Sequence, residues 1–192
     1  MAKGLLIVYA GASGVGKGTI MKELLKSNPN FKLSVSATTR SPRPGETNGV
    51  EYHFVSKDEF KELIDNDGLL EYATYCNNYY GTPKKAVFDM LQSGIDVFLE
   101  IEIKGFLQIK EKYPECVTIF LLPPSIEELE RRLTGRGTET EEVIRQRLDT
   151  AKSELTYADK FDYNVINDDV DRAKNEIIGI ISEIKKERNN KE

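Results

Sequence analysis

Short apolar runs alternate with mixed, helix-like segments over most of the chain. The apolar runs predict buried strands at 5–10, 33–37, 96–102, 117–122 and 163–166. The segments between them predict helices at about 20–26, 105–112, 125–134 and 141–157, with a last helix after 167–169. Because strands that alternate with helices usually pair in parallel, the pattern favours an α/β fold with a central parallel sheet.

The stretch from 38 to about 85 interrupts this alternation. It opens with a polar, proline-bearing loop and continues with short signals: a strand at 51–55, a helix opened by a Ser56/Glu59 capping box, a strand at 69–75, and turns at Asp67-Gly68 and Asn77-Asn78. Thr82 and Pro83 predict the cap and first turn of another helix, which Gly94 ends. We therefore expect an inserted α+β subdomain.

A glycine-rich loop lies between the first predicted strand and the first predicted helix. Glycine backbones can curl so that successive N–H groups point at one phosphate, and the helix N-terminus adds positive potential. The spacing Gly-x4-Gly-Lys is that of a nucleotide-binding phosphate loop, in which Lys17 reaches the β and γ phosphates. The loop consists of Gly11, Ala12, Ser13, Gly14, Val15, Gly16, Lys17, Gly18 and Thr19.

One position of this loop departs from the motif. A Ser or Thr usually follows the lysine and binds Mg²⁺, whereas this chain has Gly18. Either the hydroxyl of Thr19 or the ATP phosphates and waters would then complete the metal shell.

Composition narrows the possible partners. The 192 residues suffice for one core with an insertion, and the net charge of −5 argues against binding to nucleic acid or an anionic membrane. No apolar run approaches membrane-spanning length. Cys76 and Cys116 provide no disulfide framework, so we expect packing cysteines in a cytoplasmic protein. The single histidine, His53, is expected to be an ordinary strand residue.

Three arginines accompany a glycine-flanked segment late in the chain. Arg136 stands between Gly135 and Gly137, and Arg132 and Arg147 lie on the predicted helices to either side. This arrangement is typical of a hinged lid. Guanidinium groups suit the charge spread over a transferring phosphoryl group, although arginines on charged helices commonly form solvated surface pairs.

Two other arginines, earlier in the chain, predict a binding site for a second phosphate. Arg40 and Arg43 lie three residues apart in a loop held by two prolines, and Ser36, Tyr52 and Tyr80 offer hydroxyl donors. A monophosphate acceptor needs no general base, because its oxygens are already ionised near neutral pH.

Three acidic residues lie in apolar predicted strands, namely Glu71, Glu100 and Glu102. A carboxylate is costly there unless it is paired or used. Guanine offers its N1–H and its exocyclic amino group on one edge. A carboxylate such as Glu71 or Glu102 can therefore select guanine over adenine, which lacks that pair of donors.

Several segments of the chain resemble the guanylate kinase family. The match runs from about residue 4 to residue 184. Its most specific segments are Val35-Ser36-Ala37-Thr38-Thr39-Arg40-Ser41-Pro42-Arg43-Pro44-Gly45-Glu46, Gly49-Val50-Glu51-Tyr52-His53-Phe54, Asn78-Tyr79-Tyr80-Gly81-Thr82 and Gly135-Arg136-Gly137-Thr138-Glu139.

The resemblance implies a P-loop NTPase three-layer fold whose core domain covers 1–37 and 86–192. It also implies a GMP-binding subdomain at 38–85 and a helical lid at 135–147, and we assign no function to a charged tail at 185–192. The implied reaction transfers the γ-phosphoryl group of ATP to GMP or dGMP, with Mg²⁺, giving ADP and GDP.

The family pattern also implies roles for individual residues. The GMP phosphate would be held by Arg40, Arg43, Tyr52 and Tyr80. Guanine would contact Ser36, Glu71, Thr82 and Glu102, beside Gly81 of the matched segment. The transferring phosphoryl group would meet Lys17, Arg40, Arg132, Arg136 and Arg147, and the adenine would meet Asn167. The sequence Glu100-Ile101-Glu102 stands where many members have Asp-Ile-Asp.

The sequence leaves two other functions open. One is a scaffold domain that binds phosphopeptides without catalysis, although the loop residues Gly16 and Lys17 are intact. The other is a nucleoside monophosphate kinase for a different base. As an enzyme, the chain is expected to bind small-molecule substrates, without nucleic acid or membrane partners, as a monomer or weak homo-oligomer.

Overall fold

The computed structural model describes residues 3–135 and 140–190, in which strands and helices alternate. The strands are β1 (Leu6–Gly11), β2 (Phe31–Leu33), β3 (Ala37–Thr38), β4 (His53–Phe54), β5 (Leu69–Tyr75), β6 (Asn78–Pro83), β7 (Asp96–Glu100), β8 (Val117–Leu122) and β9 (Tyr163–Ile166). The helices are α1 (Lys17–Ser27), α2 (Lys57–Asp65), α3 (Lys84–Gln92), α4 (Ile103–Lys112), α5 (Ile126–Thr134), α6 (Glu141–Leu155) and α7 (Val170–Asn189), with a short 3-10 helix at Ala158–Lys160.

Two sheets organise these elements. A five-stranded sheet has the order β2-β7-β1-β8-β9, and its pairs β2–β7 and β8–β9 are parallel. This confirms the predicted α/β fold with a central parallel sheet. A four-stranded sheet has the order β4-β3-β6-β5, with β3 antiparallel to β6 and β6 antiparallel to β5. The strands of this second sheet all lie between residues 37 and 83, in the part of the sequence that interrupts the predicted alternation.

The chain forms two compact units. The first unit comprises Lys3–Val8 and Asn30–Val117, and the second comprises Tyr9–Pro29 and the chain from Thr118 onward. In the first unit, Phe60 packs with Ala37 and Leu69 and stacks on Tyr79 with ring centroids 5.3 Å apart. In the second unit, Phe120 and Phe161 have ring centroids 4.9 Å apart, and α1 buries its apolar face. Each unit therefore has apolar packing of its own.

The predicted strand at 33–37 is wrong as a single element. Strand β2 ends at Leu33 in the parallel sheet, and β3 begins at Ala37 in the mixed sheet. The backbone between them serves both sheets: the Ser34 N–H donates to the Phe98 carbonyl, and the Ser36 carbonyl accepts from the His53 N–H. The chain changes sheets at a point where the sequence shows continuous strand character.

Helices α2 and α5 both begin with a Ser-x-x-Glu sequence, but their N-termini are capped differently. At α2, Ser56 Oγ accepts from the Glu59 N–H at 3.1 Å and the Glu59 carboxylate accepts from the Ser56 N–H at 2.6 Å, which confirms the box. At α5, Ser125 Oγ accepts from the Glu128 N–H, but the Glu128 carboxylate bonds to two arginines instead. Only half of a capping box is therefore formed at α5.

The hairpin between β5 and β6 lies one residue earlier than predicted. Cys76 and Asn77 have φ angles of 47° and 61°, so these two residues make the left-handed turn and Asn78 already belongs to β6. Cys76 is consequently exposed, and its prediction as a packing residue is wrong, whereas Cys116 is buried. The helix cap predicted at Thr82 is also wrong, because β6 runs through Pro83 and α3 begins at Lys84.

Helix α7 is longer than the sequence suggested. It extends through Asn189, into the segment from residue 185 onward that was predicted as a charged tail. No helix in the described ranges is both long enough and apolar enough to cross a bilayer.

Candidate active site

A cavity of about 390 Å³ in the first unit gathers most of the predicted acceptor residues. We call it the first-unit cavity. The predicted residues that line it are Ser36, Arg40, Arg43, Tyr52, Glu71, Tyr80, Gly81 and Glu102. Its lining also includes Glu100 and five residues to which the sequence assigned no individual role: Glu46, Ala73, Tyr75, Ile101 and Gly105.

Arg40 is fixed in this cavity by a carboxylate. Its two terminal nitrogens donate to the two oxygens of Glu46, at 3.0 and 2.9 Å. This hydrogen bond raises the pKa of Arg40 and lowers the pKa of Glu46. The Glu46 carboxylate also accepts from the Arg43 backbone N–H at 2.7 Å. Glu46 therefore organises both arginines, and its position in the same proline-held loop was the signal that could have identified it.

Aromatic rings surround the Arg40 guanidinium. It lies 5.5 Å from the centroid of Tyr52 and 5.7 Å from that of Phe54. Tyr52 packs edge-on against Tyr80, and Tyr80 against Tyr75. Burial raises the pKa of Tyr52, so its hydroxyl stays protonated at neutral pH and can donate to an anion.

Glu71 is the buried acid of the cavity. It is 5% exposed, and its Oε1 accepts a 2.7 Å hydrogen bond from the Thr82 hydroxyl. Burial raises the pKa of its carboxyl group, and the nearby charge of Glu102 raises it further. Thr82 itself is fully buried behind Glu71. Thr82 thus orients the carboxylate in this structure.

The end of strand β7 contributes the other two acids. Glu100 is the last residue of β7 and is half-buried, whereas Glu102 is exposed immediately before α4. Both line the cavity at the carboxyl end of a parallel strand, which is where ligands bind in open α/β sheets.

The glycine-rich loop lies in the second unit, between β1 and α1. Gly14 and Gly16 have φ angles of 84° and 97°, which side-chain-bearing residues rarely adopt. Lys17 Nζ donates to the Gly11 carbonyl at 2.8 Å and to the Ala12 carbonyl at 3.3 Å. The ammonium group thus folds back over its own loop.

Side chains from distant elements hold the loop in shape. Asn167, which follows β9, donates from Nδ2 to the Val15 carbonyl at 2.7 Å and is 4% exposed. A Cβ added to Gly16 would lie 2.6 Å from the same nitrogen. On the other side, Glu154 of α6 accepts from the Ser13 N–H at 2.7 Å. The structure therefore places Asn167 against the loop backbone.

Two of the three predicted lid arginines contact the loop region. Arg132 Nε donates to Glu128 at 2.8 Å, and its Nη2 donates to the Asn167 carbonyl at 3.0 Å. Hydrogen bonds from Arg131 and Arg132 lower the pKa of Glu128 to about 2. Arg147 Nε lies 3.4 Å from Ser13 Oγ. Arg136 falls outside the described residues.

Gly18 and Thr19 are both exposed in the first turn of α1. Among the described residues, no atom other than those of adjacent residues and of the same helix backbone lies within 4 Å of a Cβ built at Gly18. The described residues contain no group of three or more His, Cys, Asp or Glu side chains arranged to hold a metal. An exposed hydroxyl beside a phosphate loop fits Mg²⁺, which is usually held through few protein ligands, phosphates and waters.

Comparisons with known proteins agree on one family. A family model described as guanylate kinase matches residues 3–184. The chain is 53% identical over 178 residues to a guanylate kinase of Desulfitobacterium hafniense (strain Y51), covering 93% of this chain and 89% of that protein. It is 56% identical over 180 residues to one of Clostridioides difficile (strain 630), covering 94% and 88%. A crystal structure of guanylate kinase from Anaplasma phagocytophilum superposes with a TM-score of 0.75 at 33% identity, covering 94% and 86% of the two chains.

Proposed function

Because the chain belongs to the guanylate kinase family and transfers the γ-phosphoryl group of ATP to GMP, we propose that the first-unit cavity binds GMP and the glycine-rich loop binds ATP. One observation carries the proposal. A single cavity contains both a pair of arginines and a buried carboxylate, which are the groups needed for a phosphate and for guanine.

The phosphate of GMP would lie at Arg40 and Arg43. Bidentate guanidinium groups match phosphate oxygens, and Tyr52 and Tyr80 add hydroxyl donors from the same cavity. Glu46 already holds Arg40 in one orientation, so little side-chain entropy is lost when the phosphate binds. No general base is required, since the acceptor oxygen is ionised near neutral pH.

The guanine would lie against Glu71, Glu102, Ser36 and Gly81, and Thr82 would act on it through Glu71. The Glu71 carboxylate accepts from the N1–H and the exocyclic amino group, while Thr82 keeps that carboxylate in place. Adenine offers no such pair of donors and would leave a buried acceptor unsatisfied. A polar site of this kind discriminates strongly between bases.

The ATP phosphates would lie on the backbone N–H groups of the glycine-rich loop, with adenine near Asn167. Lys17 would exchange its bonds to the Gly11 and Ala12 carbonyls for bonds to the β and γ phosphates. Arg132, Arg136 and Arg147 would neutralise charge on the transferring phosphoryl group.

Members of this family use a nucleotide donor with Mg²⁺, and Thr19 is our proposed protein ligand. The ion neutralises phosphate charge when bound, and Gly18 leaves the usual hydroxyl position empty, so phosphates and waters would supply the other ligands.

The remaining expectations stay proposals. They are a core domain at 1–37 and 86–192, a GMP-binding subdomain at 38–85 and a lid at 135–147. We further propose a cytoplasmic monomer or weak homo-oligomer that also accepts dGMP.

A substrate panel tests the proposal. ADP release is measured with ATP and, separately, GMP, dGMP and AMP. We expect turnover with GMP and dGMP and negligible turnover with AMP. Comparable turnover of AMP would contradict the assignment of the acidic cavity to guanine.

A further inference from the structure

Helix α4 contributes a glycine to the wall of the first-unit cavity. Gly105 is buried in the first turns of α4 and lines the cavity directly beside Glu71. Nothing in the local helix signal requires glycine there, because glycine lowers helix propensity. The glycine is therefore explained by the residues that this face of α4 contacts.

The space beside Gly105 is filled by the Glu71 carboxyl group. A Cβ added to Gly105 would lie 2.5 Å from Oε2, 3.0 Å from Cδ and 3.3 Å from Cγ of Glu71. Heavy atoms cannot approach to 2.5 Å without displacement, so alanine at this position would push the carboxylate away.

Glu71 has little freedom to move aside. Its other oxygen is held by the Thr82 hydroxyl at 2.7 Å, and the side chain is 5% exposed. Any displacement therefore breaks that hydrogen bond or moves the backbone of β5.

The backbone of β5 is itself held by α4. Gln108, one turn after Gly105, accepts from the Tyr72 N–H at 3.2 Å and donates to the Tyr72 carbonyl at 2.8 Å. Tyr72 directly follows Glu71, at a place where the pairing of β5 with β6 is irregular. Helix α4 thus supplies two hydrogen bonds to β5, which is an edge strand of its sheet.

We propose that Gly105 is a specificity-determining residue: its missing side chain lets α4 pack against Glu71 and set the carboxylate at the distance that guanine requires, with Gln108 as a positioning residue for the same strand. This inference rests on the proposed function, in which Glu71 contacts guanine.

The test uses two glycine-to-alanine variants, each within a helix. Gly105→Ala meets Glu71, whereas the new Cβ of Gly179→Ala in α7 would have no described atom within 4 Å other than those of adjacent residues and of its own helix backbone. Both substitutions favour helix formation, so a difference between them reports the packing against Glu71.

For Gly105→Ala we expect the KM for GMP to rise about tenfold, the size of one lost hydrogen bond to a charged group, with the KM for ATP little changed. The preference for GMP over inosine monophosphate, which keeps N1–H but lacks the amino group, should also fall. Gly179→Ala should match the parent in all three measurements. An unchanged KM for GMP and unchanged preference in Gly105→Ala would overturn the inference.

A rescue variant separates displacement of Glu71 from general damage to the fold. Glu71→Asp shortens the side chain and withdraws it from the added methyl group. We expect the double variant Gly105→Ala/Glu71→Asp to bind GMP as well as Glu71→Asp alone. If the two losses multiply instead, the residues act independently and the inference is wrong.

Failure of the proposed function would look different. If Glu71→Gln leaves the KM for GMP unchanged, Glu71 does not contact guanine and the proposed assignment fails together with this inference. If Glu71→Gln raises that KM while Gly105→Ala does not, the assignment stands and the role of Gly105 alone is refuted.

Discussion

The glycine-rich loop and the first-unit cavity, our two proposed anion sites, are built from different parts of the polypeptide. The loop is nine consecutive residues, and its donors are backbone N–H groups exposed by glycines at positive φ. The cavity is lined by residues of β5, β6, the end of β7, α4 and the segments on either side of β3, and most of its polar groups belong to side chains. A backbone site can be recognised in a short stretch of sequence, whereas a side-chain site exists only once the chain has folded.

The two regions also hold their cations differently. Lys17 rests on two carbonyl groups of its own loop. Arg40 donates to the charged carboxylate of Glu46, and its guanidinium lies over the ring of Tyr52. A cation on neutral carbonyls exchanges readily for a phosphate, while a cation on a carboxylate is held in a fixed orientation. The following substitutions probe this difference in order of decreasing effect.

Removal of the loop cation should have the largest effect. Lys17→Ala should lower kcat by about 10³-fold, because the transferring phosphoryl group loses the positive charge that the loop itself supplies, which the proposed lid arginines cannot replace at that position. Steady-state ADP release measures the loss, and circular dichroism should show an unchanged fold. Near-normal turnover would show that this loop is not the catalytic phosphate site.

Loss of the cavity carboxylate should be more selective. Glu71→Gln should lower kcat/KM for GMP by about 10²-fold while the KM for ATP changes little, because one charge-assisted acceptor of the base is replaced by a neutral amide. Equal losses for both nucleotides would remove Glu71 from the base site.

Loss of the Glu46 carboxylate, which orients Arg40, should change GMP binding less than loss of Glu71. Glu46→Gln removes the charge that orients Arg40 but keeps a polar side chain of the same length, so we expect the KM for GMP to rise about threefold to tenfold. Glu51→Gln is the matched control in the same loop, since Glu51 accepts from the Thr47 backbone N–H. Equal effects of the two variants would mean that Glu46 does not act through Arg40.

The smallest expected effect concerns stability. Burial raises the pKa of Glu71 above its ordinary value of 4.5, so the folded state binds a proton more readily than the unfolded state. The resulting stability is present below pH 4.5 and is lost as the pH rises through the raised folded pKa. Glu71→Gln cannot ionise, so its Tm relative to the parent should increase between pH 4.5 and pH 7.5. A constant Tm difference across this range would show that ionisation of Glu71 does not lower the stability of the folded protein.

The local features of the fold were the ones the sequence predicted well. The box Ser56/Glu59 and strand β5 depend on neighbouring residues, and both are formed as expected. The helix cap predicted at Thr82 is wrong because a threonine followed by a proline commonly begins a helix, whereas here both residues belong to β6. In the structure the Thr82 hydroxyl is used by Glu71, eleven residues earlier in the chain.

The sequence by itself determined the α/β fold and the glycine-rich loop, because hydrophobic periodicity and glycine conformation act over a few residues. It also determined which arginines and acids were available. Only the tertiary structure decided that Glu46 holds Arg40, that Asn167 supports the loop backbone and that Gly105 lies against Glu71. These relations depend on distances that local sequence signals do not encode, because the folding of a long loop fixes the first and the packing of separate elements fixes the other two.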